Sequence, residues 1–146
     1  MLYTSQTLEQ LEHIAEDFAK TLIPPCCLLL YGNLGAGKTT FARMLIQSLT
    51  SKDTVVPSPT FTLLQTYDIS KNHSVQGHIT HFDLYRLHAE DDLLDIGFEE
   101  YSHEHICLIE WPERLGAFLP EKYIRIMLEE DSPTTRHLTI ESIGFE

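Results

Sequence analysis

Near the start of the chain, apolar residues recur at the spacing of one helix face: Leu8, Leu11, Ile14, Ala15, Phe18, Ala19 and Leu22. Thr7 stands three residues before Gln10, the pairing of a capping box, and Pro24-Pro25 halts the helix that follows. The pattern then changes. CCLLLY, residues 26–31, is an unbroken apolar run and predicts a strand buried on both faces. It leads directly into GNLGAGKTT, residues 32–40, and then into a second helical stretch with Phe41, Met44, Leu45 and Leu49 as its apolar stripe.

In VVPSPTFTLLQTY, residues 55–67, Pro57 and Pro59 make the start irregular, and residues 61–67 have strand-like content. A polar segment, 68–77, separates this from ITHFDLY, 79–85, and the two strands predict an antiparallel hairpin with a long turn. Residues 90–96 predict a short acidic helix ended by Gly97, and ICLIE, 106–110, a buried strand that finishes on an acid. Residues 112–119 form a short helix or loop. Residues 123–128 and 136–143 alternate as two strands of a terminal hairpin around 129–135. No repeat, linker or low-complexity segment divides these elements, so residues 1–146 read as one α/β domain with a mixed sheet.

At 146 residues and 42% hydrophobic content, the chain can bury an ordinary core and is not disordered. Ten Lys and Arg against 22 Asp and Glu give a net charge of −12 with His neutral. Such a surface repels phosphate backbones and predicts little direct nucleic-acid binding. Cys26, Cys27 and Cys107 are odd in number and lack C-x-x-C spacing, which suits a reduced intracellular protein. MLYTSQTLEQ lacks the pattern of a signal peptide, and the longest apolar run, 23–31, holds two prolines and is too short for a membrane span. The expectation is a soluble, cytoplasmic protein that does not enter membranes.

The chemistry is concentrated in Gly32, Asn33, Leu34, Gly35, Ala36, Gly37, Lys38 and Thr39, which fit G-x-x-x-x-G-K-[ST] in full, with Thr40 next. Glycines let successive backbone N–H groups turn inward around an anion, and the helix N-terminus adds partial positive charge. Lys38 suits the β- and γ-phosphates, and the Thr39 hydroxyl suits Mg²⁺. A tight glycine turn explains the glycines but not Lys38 followed by Thr39. The fold class this implies is P-loop NTPase-like, a mixed central sheet flanked by helices.

Such a loop needs acids for the metal and the attacking water. Glu110 ends ICLIE, and Asp83 lies inside ITHFDLY, where an acid is costly unless paired or coordinating. The alternatives are an ion pair of Asp83 with Arg86 and a solvated strand end for Glu110. In Ser58-Pro59-Thr60 a hydroxyl suits a switch contact to the γ-phosphate or Mg²⁺, and a rigid turn is the plainer alternative. Trp111, the sole tryptophan, lines the cleft or is simply buried. His78 with His81 and His103 with His105 lack ligand spacing and read as surface histidines. Glu90-Asp91-Asp92 reads as a solvated helix start, with docking to a basic partner as the alternative.

GNLGAGKTT, SPTFTL, HFDLYRL, DIGFEEY and LIEWPERL, in this order and over about residues 26–119, resemble the TsaE (YjeE) family of bacterial ATPases required for N6-threonylcarbamoyladenosine on tRNA. HFDLYRL and the IEW segment are more specific than the phosphate loop. The resemblance implies Mg²⁺-dependent hydrolysis of ATP to ADP and partnership with TsaD and TsaB, which transfer the threonylcarbamoyl group to adenosine 37. By matching position it implies that Lys38 and Thr39 hold phosphate and metal and that Thr60 lies in a switch-like segment. It also implies Asp83 at the catalytic centre, Glu110 on the metal, and Trp111 within the same matched segment. Arg136 matches a basic residue near the nucleotide, and Thr7 and Leu8 match a helix start near the adenine. One departure is Asn33, where the family loop usually has Asp.

A nucleotide or small-molecule kinase shares the phosphate loop but needs clamping arginines, and Arg43, Arg86, Arg114, Arg125 and Arg136 are scattered in sequence. A GTPase lacks support because no N-K-x-D motif occurs. A nucleotide-dependent binding module remains open.

Overall fold

The computed structural model describes residues 1–59 and 62–145. Its strands are β1 (Leu2–Thr7), β2 (Cys26–Tyr31), β3 (Leu64–Asp68), β4 (His78–Asp83), β5 (Ile106–Glu110), β6 (Tyr123–Ser132) and β7 (Thr135–Ile143), in one sheet of order β1-β7-β6-β2-β5-β4-β3. β6, β2, β5 and β4 form a parallel block. β7 and β1 extend it antiparallel at one edge and β3 at the other. The sheet is therefore mixed, as expected.

Helices cover both faces because the strands alternate between two cores. Leu28, Leu30, Ile79, Ile106 and Leu108 face α1 (Leu8–Ala19) and α2 (Lys38–Leu49), which bury Leu11, Ala15, Phe41, Leu45 and Leu49. Cys27, Leu29, Phe82, Cys107 and Ile109 face the other side. There α3 (Asp92–Asp95), α4 (Phe98–Glu104) and a kinked 3₁₀ helix, Pro112–Phe118, contribute Leu93, Phe98 and Leu115. No helix among the described residues is long and apolar enough to cross a membrane.

The expected capping box is present. Gln10 N–H donates to Thr7 Oγ1 (3.3 Å), and Thr7 N–H donates to the Gln10 side chain (2.8 Å). Helix α1 ends at Ala19, ahead of the prolines, and Leu22 is buried beyond it. β3 and β4 form the expected antiparallel hairpin, but β3 starts at Leu64 and β4 stops at Asp83. The start of the expected strand at Phe61 lies outside the described residues. The terminal hairpin is longer than its apolar pattern, because β6 and β7 run to Ser132 and from Thr135 and leave only Pro133-Thr134 as the turn. β1 and α4 have no counterpart in the sequence reading. β1 is a polar edge strand held by pairing with β7, and α4 buries only Phe98 fully.

Candidate functional site

The strand β2 runs into the loop 32–37, and α2 opens at Lys38. Two glycines are indispensable to this turn. A Cβ on Gly32 would lie 2.6 Å from the Leu128 carbonyl oxygen of β6, and Gly37 enters the helix at φ 101°, in the left-handed region. The first N–H groups of α2 have no acceptor within the helix, so its N-terminus is a ready anion site. Leu34, Gly35, Gly37, Lys38, Thr39 and Thr40 line a cavity of about 500 Å³ at this point.

Asp83, Glu110, Trp111 and Arg136, distant in sequence, line the same cavity, together with Ser58, Tyr85 and Arg86. Parallel pairing of β4 and β5 sets Asp83 opposite Glu110 at the ends of their strands. Both acids are buried, at 5% and 2% exposure, so Glu110 is not a solvated strand end. Glu110 Oε1 accepts a 2.8 Å hydrogen bond from the Thr39 hydroxyl, and Oε2 lies 2.6 Å from His81 Nε2. Asp83 Oδ1 accepts from the Tyr85 backbone N–H at 3.0 Å.

Lys38 is buried, at 6% exposure. Its ammonium donates to the Gly32 carbonyl at 2.6 Å and lies 3.5 Å from the centre of the Trp111 ring. Burial pushes Lys38 below the ordinary lysine range, while Glu110, Glu113 and Asp83 pull it back up. Trp111 therefore lines the cleft while packing, half-buried, against the core on that face of the sheet. It packs on Tyr85 with ring centres 4.9 Å apart and holds a left-handed backbone at φ 58°.

The remaining expected residues divide among neighbouring features. Leu8, Thr40 and Arg136 line an adjoining cavity of about 300 Å³ with Gln6, Phe41 and Met44, and Thr7 is occupied in the cap of α1. Gly32, Asn33 and Ala36 face a third cavity, of about 540 Å³, beside Glu113, Glu129 and Glu130. Thr60 lies outside the described residues. Arg86 and Arg136, scattered in sequence, both line the cavity at the loop. Arg136 donates from Nε to the Ala36 carbonyl (3.0 Å) and from Nη1 to those of Ser132 and Thr135 (2.9 Å each), bracing the loop against β7.

His81 corrects the sequence reading, which put it on the surface. It is fully buried against Glu110. Strand alternation carries the signal: Ile79, His81 and Asp83 share the face toward α2.

A family model described as Threonylcarbamoyl adenosine biosynthesis protein TsaE matches residues 5–138. The chain is 38% identical over 128 residues to the tRNA threonylcarbamoyladenosine biosynthesis protein TsaE of Rickettsia conorii, covering 88% of this chain and 70% of that one. It is 34% identical over 137 residues to the protein of that name from Bacillus subtilis, covering 93% and 82%. The crystal structure of Bacillus subtilis YdiB is similar with a TM-score of 0.77 at 27% identity, over 99% of this chain and 86% of that one. The fold is accordingly the P-loop NTPase-like α/β fold that the sequence implies. With a family match spanning most of its length and relatives above one-third identity, the chain belongs to the TsaE family of threonylcarbamoyl adenosine biosynthesis proteins.

Proposed function

We propose that this chain binds ATP with Mg²⁺ at the phosphate loop, hydrolyses it to ADP and phosphate, and acts with the TsaD–TsaB pair in threonylcarbamoyladenosine formation on tRNA. The observation that carries this reading is the Thr39–Glu110 hydrogen bond, 2.8 Å long, at the mouth of the loop. Its two oxygens are spaced close to the ~2.9 Å edge of an octahedron of oxygen ligands around Mg²⁺. Among the described residues, no group of three or more His, Cys, Asp or Glu is arranged to hold a metal. Nucleotide phosphates and water would complete the shell, the usual arrangement for Mg²⁺ in phosphoryl transfer. The donor set fits the ion.

Thr39 and Glu110 would hold Mg²⁺, which would supply charge neutralisation for the nucleotide phosphates. The loop N–H groups and the start of α2 hold the phosphates, and Lys38 exchanges the Gly32 carbonyl for a phosphate oxygen. Asp83 accepts a hydrogen bond from a water and orients its oxygen toward the γ-phosphorus; that oxygen bonds to phosphorus as the bond to the ADP oxygen breaks, ADP leaves with the electron pair, and the water's proton passes to the released phosphate. Leu8, Thr40 and Arg136, around the adjoining cavity, take the adenosine.

Phosphate release measured with MgATP, with EDTA added, and with the TsaD–TsaB pair tests the reading. The expected result is slow hydrolysis alone, none with EDTA, and stimulation by the pair. Fast hydrolysis indifferent to the pair, or transfer of the phosphoryl group to a small molecule instead of water, overturns it.

A further inference from the structure

We infer that His81 is a positioning residue for the metal: it fixes the Glu110 carboxylate so that Oε1 faces Thr39. This rests on the reading of Glu110 as the acid that holds Mg²⁺. His81 is fully buried on β4, two residues before Asp83, and its Nε2 lies 2.6 Å from Glu110 Oε2. Its Nδ1 is buried without a hydrogen-bond partner among the described residues.

That orphaned nitrogen decides the tautomer. A proton on Nδ1 would meet no acceptor among the described residues, and a bare Nε2 would set its lone pair against a carboxylate oxygen. The proton therefore sits on Nε2 and is donated to Glu110. Each carboxylate oxygen then has one donor, His81 on Oε2 and Thr39 on Oε1. The two bonds lock the rotation of a side chain that would otherwise swing within the cavity. Partners that orient metal ligands in this way typically contribute about 10–100-fold to metal affinity.

The test uses the full chain with ADP as the probe and compares His81→Gln with His81→Asn. A Gln amide nitrogen reaches the position of Nε2, whereas an Asn amide nitrogen stops near that of Nδ1. Calorimetry gives ADP affinity with Mg²⁺ and with EDTA, and circular dichroism melts report folding. In His81→Asn the gain in ADP affinity from Mg²⁺ should fall about 10–100-fold while the affinity in EDTA stays unchanged. His81→Gln should restore most of the gain. A His81→Asn variant that keeps the full gain, or a folded His81→Gln variant that lacks it, overturns the role of His81. Equal losses with Mg²⁺ and EDTA also overturn it, because they mark a merely structural residue. If His81→Asn does not fold, His81→Gln alone decides. A native chain that gains nothing from Mg²⁺ overturns the metal reading itself, and the role of His81 with it.

Discussion

The Thr39 hydroxyl donates a 2.8 Å hydrogen bond to Glu110 across a sequence separation of 71 residues, tying the first turn of α2 to the end of β5. The bond joins the two halves of the candidate site, loop and acid. Converting Glu110 to Gln keeps the shape and one acceptor oxygen but removes the charge. Glu110→Gln and Asp83→Asn should both remain folded and lose about 10²–10³-fold in phosphate release, the scale of a transition-state contact. Circular dichroism and phosphate release on the same samples check this, and native hydrolysis in either variant removes that acid from the mechanism.

Lys38 lies beneath the Trp111 ring and above the phosphate cradle, so its movement on binding is visible to the sole tryptophan. Nucleotide titration should change Trp111 fluorescence in the native chain. In Lys38→Ala, affinity should fall about 10–100-fold, matching about 1.5–3 kcal/mol for a hydrogen bond to a charged group. Calorimetry reads the affinity directly, and an unchanged value rejects the phosphate-loop assignment.

The elements most legible in the sequence were those whose signal is local. The run CCLLLY, the glycine loop and the Thr7–Gln10 cap each depend on neighbours within a few residues. Where partners are distant, the signal is lost. The polar strand β1 exists because β7 pairs with it, and nothing within LYTSQT announces that partner. The sequence places Asp83 and Glu110 on two strands, but only the register of β4 on β5 brings them side by side. The reading of His81 fails for a related reason: without metal-ligand spacing it reads as a surface histidine, until the parity of its strand, shared with Ile79 and Asp83, turns it inward.

The cap of helix α1 offers a test that reads folding rather than hydrolysis. Thr7→Ala removes the side-chain acceptor for Gln10 N–H and leaves the capping box with one bond. The expected cost is about 1 kcal/mol, or about 2–4 °C in Tm for a chain of this size. A thermal melt unchanged by the substitution would mean that the cap contributes nothing to global stability.

His105 gives the fold a mild acid sensitivity. Its imidazole, 2.7 Å from the Thr80 hydroxyl, is pushed below the ordinary 6.5 chiefly by burial and then by His78, with Glu104 opposing. Below pH 6.5 the unfolded chain takes up a proton at this ring more readily than the folded chain does. Stability from this group is therefore complete above that pH and declines as pH falls through 6.5 toward the lower folded value. Urea unfolding at a series of pH values between about 5 and 8 should show the decline, and His105→Gln should flatten it. An equal slope in native and variant chains assigns the sensitivity elsewhere.

Net charge bears on the proposed partnership. A chain of net charge −12 meets a partner most favourably through a basic surface, and its own repulsion of phosphate disfavours tRNA. Exposed opposite charges are screened over about 8–10 Å at physiological salt, so docking on the TsaD–TsaB pair should weaken steadily as salt rises. The stimulation of phosphate release should decline in parallel, while basal hydrolysis, governed by buried groups such as Glu110 and Asp83, should change little. If the basic surface is one that tRNA also uses, added tRNA should displace the chain and return hydrolysis to its basal rate. Pull-down and phosphate release across a salt series, with and without tRNA, measure all three effects together. Salt-independent docking would locate the contact in apolar surface instead, and tight tRNA binding by the isolated chain would overturn the charge argument.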